Sequence, residues 1–346
     1  MKVLITGGAG FLGLHLAKYF GKKGWELYLL DIQPFDTKEY PRKSVFIKAD
    51  IRNAKAMQQH SKGIDLVIHA AAALPLWKKE AIYSTNIDGT KNVLENALSQ
   101  KVKHVIYISS TAVYGIPRKH PVYEGDSLVG VGPYGESKIA AEQLCESYRK
   151  KGLLVTVIRP KTFVGTYRLG VFEILFDWIK DGKRIPVVGS GNNKYQLLDV
   201  DDLVEAVHLC FKTGGRKVND NFNIGAAQFG TVKQDLNKLF QNARSGSTIF
   251  PTPAMPLKLV LRFLEMFHLS PLYQWVYETA DKDSFVSIEH LSKTIKWKPR
   301  YSNAQALIKS YQWYLDHYDE VKSHKSGVTH RVGWNQGILK LFKKFL

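Results

Sequence analysis

Three side chains have the types and spacing for proton transfer at an alcohol or a ketone. Ser110 follows the apolar run Val105-Ile106-Tyr107-Ile108, and Tyr134 and Lys138 stand four apart in Pro133-Tyr134-Gly135-Glu136-Ser137-Lys138. Positions four apart on a helix share a face, so the phenol and the ammonium point the same way. A free phenol, with a pKa of about 10, is a poor base at neutral pH. A neighbouring positive charge favours the phenolate and brings it toward the working range. Ser110 can hydrogen-bond the same hydroxyl or carbonyl and steady an oxyanion. Taken alone, a Tyr-Lys pair at this spacing is mostly an aromatic cap and a solvated charge. Its surroundings decide.

The elements that must position these groups begin at Lys2-Val3-Leu4-Ile5, a β-prone run. It leads into Thr6-Gly7-Gly8-Ala9-Gly10-Phe11-Leu12-Gly13 and then into apolar residues at helical spacing. That is strand, glycine turn, helix. The first glycines permit backbone angles closed to other residues. Gly10 lets the main chain approach a pyrophosphate, and Gly13 lets the helix pack tightly on the sheet. The free N–H groups at the helix start then face the phosphates. A second strand, Glu26-Leu27-Tyr28-Leu29-Leu30, ends at Asp31, whose carboxylate suits both ribose hydroxyls of an adenosine. Ile32 and Gln33 follow, with no arginine to receive a 2′-phosphate, so the cofactor reads as NAD rather than NADP. The positive nicotinamide, with Lys138 bonded to its ribose, would add to the pull on Tyr134.

Further strands continue the pattern. Val45-Phe46-Ile47 leads to Asp50-Ile51, placed to touch an adenine edge. Ile64–His69 runs into Ala70-Ala71-Ala72-Ala73, small residues that let a cofactor approach the backbone. A helix over 79–100 carries Asn86 and Gly89. The strand before Ser110 ends in Ser109-Ser110-Thr111-Ala112-Val113-Tyr114-Gly115, and Val155-Thr156-Val157-Ile158 ends in Arg159-Pro160. Alternating strands and helices predict an α/β fold, a Rossmann-type doubly wound parallel sheet with its ligands at the strands' carboxyl ends.

The chain has 346 residues, 45% of them apolar and 23% charged, enough for one large or two smaller domains. Cys145 and Cys210 make neither a disulfide framework nor a metal-ligand spacing, which suits a reducing, cytoplasmic setting. The first strand starts at residue 2, leaving no room for a signal peptide. No uncharged apolar run reaches the roughly 18 residues that span a bilayer. The net charge of +18 points to an anionic substrate or an anionic membrane surface. Nucleic acid fits poorly, because the basic residues are scattered and no recognition module is present.

In order and spacing, Thr6–Gly13, Asp31, Asp50-Ile51, His69–Ala72, Asn86, Ser109–Gly115 and Tyr134–Lys138 resemble the extended short-chain dehydrogenase/reductases. Nucleotide-sugar epimerases and dehydratases, 3β-hydroxysteroid dehydrogenases and dihydroflavonol reductases belong to that group. Trp297-Lys298-Pro299 is similar to the family's late LGWxP element, so the resemblance covers nearly the whole chain. It implies that Ser110, with Thr111 as the fallback, is the catalytic hydroxyl, Tyr134 the general acid/base and Lys138 its partner. It implies an NAD site of Gly7, Gly10, Phe11, Leu12, Gly13, Asp31, Asp50, Ile51, Ala70, Ala71, Ala72, Asn86, Ser109 and Pro160, with Tyr134 and Lys138 serving both roles. It also implies an NAD-binding domain over 1–165, to which the chain returns at about 197–230. A smaller substrate-binding lid would be built from 166–196 and 231–326. A homodimer through helices around 79–100 and 134–150 is implied as well.

The substrate side departs from the nucleotide-sugar enzymes. Thr162 stands where they usually carry Asn, and Tyr195 where they usually carry Arg. Residues 277–286 lack the later Arg expected to clamp a diphosphate. Arg168 remains as an anion contact, so Thr162, Arg168 and Tyr195 are the candidate substrate residues. Asp199, Asp201 and Asp202 read as caps of a following helix. The Gly165–Gly170 element and its apolar helix are similar to those of lipid-diphosphate-sugar 4-epimerases. Residues 251–276 are densely apolar, as lid core or as an exposed greasy entrance. In the tail, 327–346, Trp334, Ile338, Leu339, Leu341, Phe342, Phe345 and Leu346 share one helical face, and Lys340, Lys343 and Lys344 lie opposite. Such a basic amphipathic helix is expected either to lie on an anionic membrane or to dock on the protein or a partner subunit. Three functions follow: a sugar 4-epimerase-like enzyme acting on a lipid-linked or nucleotide-linked sugar, a 3β-hydroxysteroid-type dehydrogenase of a lipophilic alcohol, or a non-catalytic NAD-binding protein.

Overall fold

Val3, Leu4 and Ile5 are all fully buried, as are Val105, Ile106, Val155, Val157 and Ile158. Strands covered on both faces form the centre of a parallel sheet. The computed structural model describes residues 1–75, 77–167, 171–266, 274–323 and Lys343. Its central sheet contains β1 (Lys2–Thr6), β2 (Glu26–Asp31), β3 (Val45–Lys48), β4 (Leu66–His69), β5 (His104–Ile108), β6 (Val155–Pro160) and β7 (Asn221–Ile224). The order across it is β3-β2-β1-β4-β5-β6-β7, and every neighbouring pair is parallel. The chain reverses its winding between β1 and β4. Ligands bind doubly wound sheets at that point, outside the carboxyl ends of the strands.

Helices Phe11–Lys22 and Val200–Thr213 pack on one face with Leu14, Leu16, Leu203 and Val207. Helices Thr90–Ser99 and Gly132–Lys150 cover the other with Val93, Leu94, Ala141 and Cys145. Burial pushes the thiols of Cys145 and Cys210 up to about 12, which leaves them unreactive. A separate apolar cluster joins Phe176, Trp178, Leu239, Tyr311 and Tyr314, outside the sheet layers. Asp199 caps the helix Val200–Thr213 by accepting from the Asp201 N–H, and Lys309 pairs with both carboxylates.

The helix predicted over 79–100 is helical from Lys79 to Ser99, with a wider π turn at Ser84–Gly89 between Lys79–Tyr83 and Thr90–Ser99 and with Gln100 as its C-cap. No helix among the described residues is long and apolar enough to cross a membrane. Arg168 and the apolar face of the tail lie outside the described residues. Lys343, which the tail pattern assigns to the basic face, has its Nζ 2.6 Å from Asp181 Oδ2 and also pairs with Asp177. Both carboxylates belong to the chain's own body.

Two imidazoles are locked inside the sheet layers. His69 lies between the hydroxyls of Thr6 (2.7 Å) and Thr90 (3.0 Å), and His104 meets Thr156 Oγ1 at 2.7 Å. Burial drives their pKa values to about 3 and about 4, and the Lys138 charge adds to the effect at His69. Both rings stay neutral in the fold and take protons more readily when unfolded. Stability is therefore fully present above about pH 6.5 and falls as the pH drops toward 4, by up to about 1.4 kcal/mol per pH unit for each ring. Urea midpoints measured between pH 7 and pH 4.5 check this. His104→Phe should flatten the slope, and an unchanged slope would place the titration elsewhere.

Candidate active site

The carboxyl ends of the central strands open into one cavity of about 490 Å³. Gly7, Gly10, Phe11, Leu12 and Gly13 line it together with Asp31, Asp50 and Ile51. Ala70, Ala71 and Ala72 supply wall after β4, and Ser109, Ser110, Thr111, Tyr134, Lys138, Pro160 and Thr162 line it as well. Side chains distant in sequence thus face one space because the parallel strands all end at the same edge.

The glycine turn is held closely. Gly7 has φ +73°, and a Cβ there would lie 2.8 Å from the Ala71 nitrogen. A larger residue meets both strain and backbone, so the turn and the alanine segment can approach only with glycine at this position. The Tyr40 hydroxyl donates to Gly8 O at 3.0 Å and ties the turn to the loop after β2. Asp31 Oδ2 accepts from the Ala9 N–H at 3.0 Å and Oδ1 from the Gln33 N–H at 2.9 Å. The carboxylate is fixed on the cavity wall, beside the start of the helix Phe11–Lys22. A helix N-terminus next to a fixed carboxylate fits the pyrophosphate and adenosine ribose of a dinucleotide. Asp50 also lines this part of the cavity, but its carboxylate is chelated by Arg52 at 2.6–3.0 Å, chiefly a side-chain hydrogen bond that holds its pKa low.

Gly132–Lys150 is a single helix, so Tyr134 and Lys138 do share a face. Lys138 is 2% exposed, donates to Ile108 O at 2.9 Å and sits 5.9 Å from the centre of the Tyr134 ring. Burial lowers its pKa to about 8 and Glu142 works against the shift, so the ammonium still dominates at pH 7. Ser110 Oγ accepts from the Ala112 N–H at 3.1 Å, and Thr111 Oγ1 donates to Pro160 O at 3.3 Å. Both hydroxyls are oriented by the backbone on the wall of the cavity that Tyr134 also lines.

A polar network beneath these residues escapes a sequence reading. Ser109 Oγ donates to Glu142 Oε1 at 2.5 Å, and Arg159 clasps Glu142 with its closest contact at 2.6 Å. Arg159 also reaches the Tyr114 hydroxyl at 2.7 Å and Glu124 O at 3.0 Å. Burial disfavours its charge, and Glu142 overrides that and keeps the guanidinium protonated. Glu142 lies one turn beyond Lys138, and that spacing was the available signal. Arg159 is visible only as the residue before Pro160.

Asn86 does not line the cavity. From the π turn its amide accepts from the Ala73 N–H (2.8 Å) and donates to Ala73 O (3.2 Å) and Ser137 Oγ (3.0 Å). It braces the alanine segment against the Tyr134–Lys138 helix. On the other side, Thr162 Oγ1 and the Tyr195 hydroxyl are 3.2 Å apart. A buried lysine, Lys161, lies between Pro160 and Thr162 on the cavity wall.

Residues 3–225 match the model of the NAD dependent epimerase/dehydratase family. The Sinorhizobium fredii protein y4nG is 36% identical over 90% of this chain and 78% of its own length. The UDP-glucose 4-epimerase of Lactobacillus helveticus is 26% identical over 92% of this chain and 98% of its own. Among solved structures, the UDP-glucose 4-epimerase of Thermotoga maritima with UDP-glucose superposes with a TM-score of 0.76. It is 23% identical, covering 92% of this chain and 100% of that one.

Proposed function

The chain belongs to the NAD dependent epimerase/dehydratase family, and on that premise we propose that it is a 4-epimerase-like enzyme acting on a lipid-linked or nucleotide-linked sugar. The observation that carries this reading is the single cavity shared by the glycine turn, Asp31, Ser110, Tyr134 and Lys138. When bound, NAD accepts the hydride of a secondary alcohol and can return it. Tyr134 Oη takes the hydroxyl proton as the carbonyl forms and gives it back on reduction. Lys138, buried and cationic at neutral pH, favours the phenolate through that exchange. Ser110, with its hydroxyl held at the same wall, donates to the substrate oxygen. The substrate is bound by a lid made of 166–196 and 231–326.

The near full-length similarity to a UDP-glucose 4-epimerase supports epimerisation. The helix Ala254–Met266 supports a lipid-bearing substrate met at a membrane surface, since Met255, Leu259, Val260 and Phe263 are all exposed on it. The same face favours a second reading, dehydrogenation of a lipophilic alcohol.

Nucleotide content of the freshly purified protein, measured after denaturation, separates the two. An epimerase regenerates its cofactor in every cycle and can keep it bound, whereas a dehydrogenase must exchange it. Stoichiometric retained NAD is the expected result. An empty site, with NADH formed when NAD is supplied together with sterols or other lipophilic alcohols, would replace the epimerase reading by the dehydrogenase one.

A further inference from the structure

Lys161 is a buried cation that the proposed chemistry does not use. It follows β6 directly, its N–H donates to Ile224 O at 2.9 Å, and its side of the sheet edge faces the cavity of Ser110, Tyr134 and Lys138. The residue is 3% exposed. Its Nζ donates to Ser284 Oγ at 2.6 Å and sits 5.0 Å from the centre of the Tyr195 ring. Among the described residues no carboxylate comes within ion-pair distance of it. The buried Arg159 and Lys258, by contrast, have Glu142 and Asp281. An ammonium taken out of water without a counter-charge is costly, and here burial brings its pKa down to about 7.

A second polar group nearby is also unsatisfied. The His120 ring lies tilted against Phe285, the neighbour of Ser284, with ring centres 4.9 Å apart. Its Nε2 is buried with no hydrogen-bond partner among the described residues. Burial lowers its pKa, Asp283 raises it, and the Lys161 charge lowers it further, so the two groups feel one another. Ser284 itself is held by backbone bonds to Lys194 and Gln196, at 2.8 and 3.0 Å. Among the described residues, a fixed hydroxyl, an ammonium without a counter-ion and an unpaired ring nitrogen thus gather around Lys161, which lines the cavity.

We propose that Lys161 is the anion-recognising residue of the substrate subsite and takes an oxyanion, a carboxylate or a phosphate group, carried by the substrate. This rests on reading the cavity as the redox site. The cofactor's own pyrophosphate is not the ligand meant, since that group belongs at the glycine turn. A bound oxyanion would supply the missing counter-charge and restore the ammonium. Substrates that are neutral at this position would leave the charge buried and alone, so the subsite selects by sign as well as by shape.

The full chain saturated with NAD is the material for the test, because saturation fills the pyrophosphate seat. Thermal midpoints are read at pH 6.5 in chloride, acetate and phosphate at matched ionic strength, for the wild type and for Lys161→Met. At about ten times the dissociation constant of the anion, the wild type should gain roughly 2–4 °C over the variant. A gain in acetate alone assigns a carboxylate, a gain in phosphate alone a phosphate, and a gain in both their shared chemistry. Equal shifts in wild type and variant, or no shift in either, overturn the proposal. Lys161→Gln serves if the methionine variant does not fold, and Lys161→Arg should keep part of the gain. A merely structural strap to Ser284 predicts that Ser284→Ala and Lys161→Met lower the midpoint alike without changing its dependence on the anion. The readout needs no turnover, so an active enzyme with no anion effect would sink this assignment alone. Loss of NAD binding or of Tyr134-dependent turnover would instead strike the redox reading.

Discussion

Tyr134→Phe is expected to lower turnover by about 10²- to 10⁴-fold while leaving NAD affinity nearly unchanged. The substitution removes one oxygen and keeps the ring, so the packing of the helix Gly132–Lys150 is preserved. It removes the group that can accept the alcohol proton. Lys138 cannot replace it directly, because its Nζ is buried and donates to Ile108 O. Ser110 and Thr111 cannot replace it either, since an aliphatic hydroxyl is a far weaker acid than a phenol. Lys138 at about 8 remains mostly charged at pH 7, so the variant keeps the electrostatic setting and loses only the proton carrier. Single-turnover reduction of bound NAD, followed at the nicotinamide absorbance beside a binding titration, would separate the two effects. Equal turnover in the variant would remove Tyr134 from the mechanism. Loss of NAD binding would show a role in holding the cofactor instead.

What the sequence discloses and what it hides divide along contact distance. The glycine turn, Asp31 at the end of β2, and the Tyr134–Lys138 pair are each set by residues within a few positions of one another. Local spacing shows them, and the parallel sheet then brings them to one edge. The Glu142–Arg159–Ser109 network joins separate elements, and apart from the one-turn spacing of Glu142 from Lys138 no local pattern announces it. Lys161 is harder still, because its partner Ser284 lies on a distant segment that is held in place by pairing with Lys194–Gln196 and, at Phe285–Ser287, with Val122. Asn86 shows a third case. Its position in the pattern is legible, but the structure gives its amide to Ala73 and Ser137, a choice set by the π turn that carries it. The exposed face of Ala254–Met266 is dense in apolar residues at the sequence level, and only its surroundings decide that Leu259 and Phe263 stay in contact with solvent.

Gly13→Ala should abolish NAD retention and lower stability by more than the roughly 1–3 kcal/mol of ordinary overpacking. A Cβ at this position would lie 2.2 Å from Gly7 O and 2.7 Å from both Gly8 Cα and Gly8 O. All three are backbone atoms, so no side chain can swing aside. The turn cannot yield easily either. Gly8 N–H donates to Leu30 O, Gly10 N–H to Gly7 O and Leu14 N–H to Gly10 O, each at 3.0 Å. Relief therefore requires the helix Phe11–Lys22 to move off β1 by on the order of an ångström, which breaks the N–H cradle that a pyrophosphate needs. Gly24→Ala is the matched control. Gly24 has φ +77° with nothing within 4 Å of a built Cβ, so that change brings backbone strain of roughly 1–2 kcal/mol and no collision. Urea midpoints and released nucleotide would be compared for both variants. The expected pattern is a stability loss in each and a loss of NAD only with Gly13→Ala. Stoichiometric NAD in a folded Gly13→Ala protein would move the pyrophosphate seat away from this turn, and the assignment of the cavity's two ends with it.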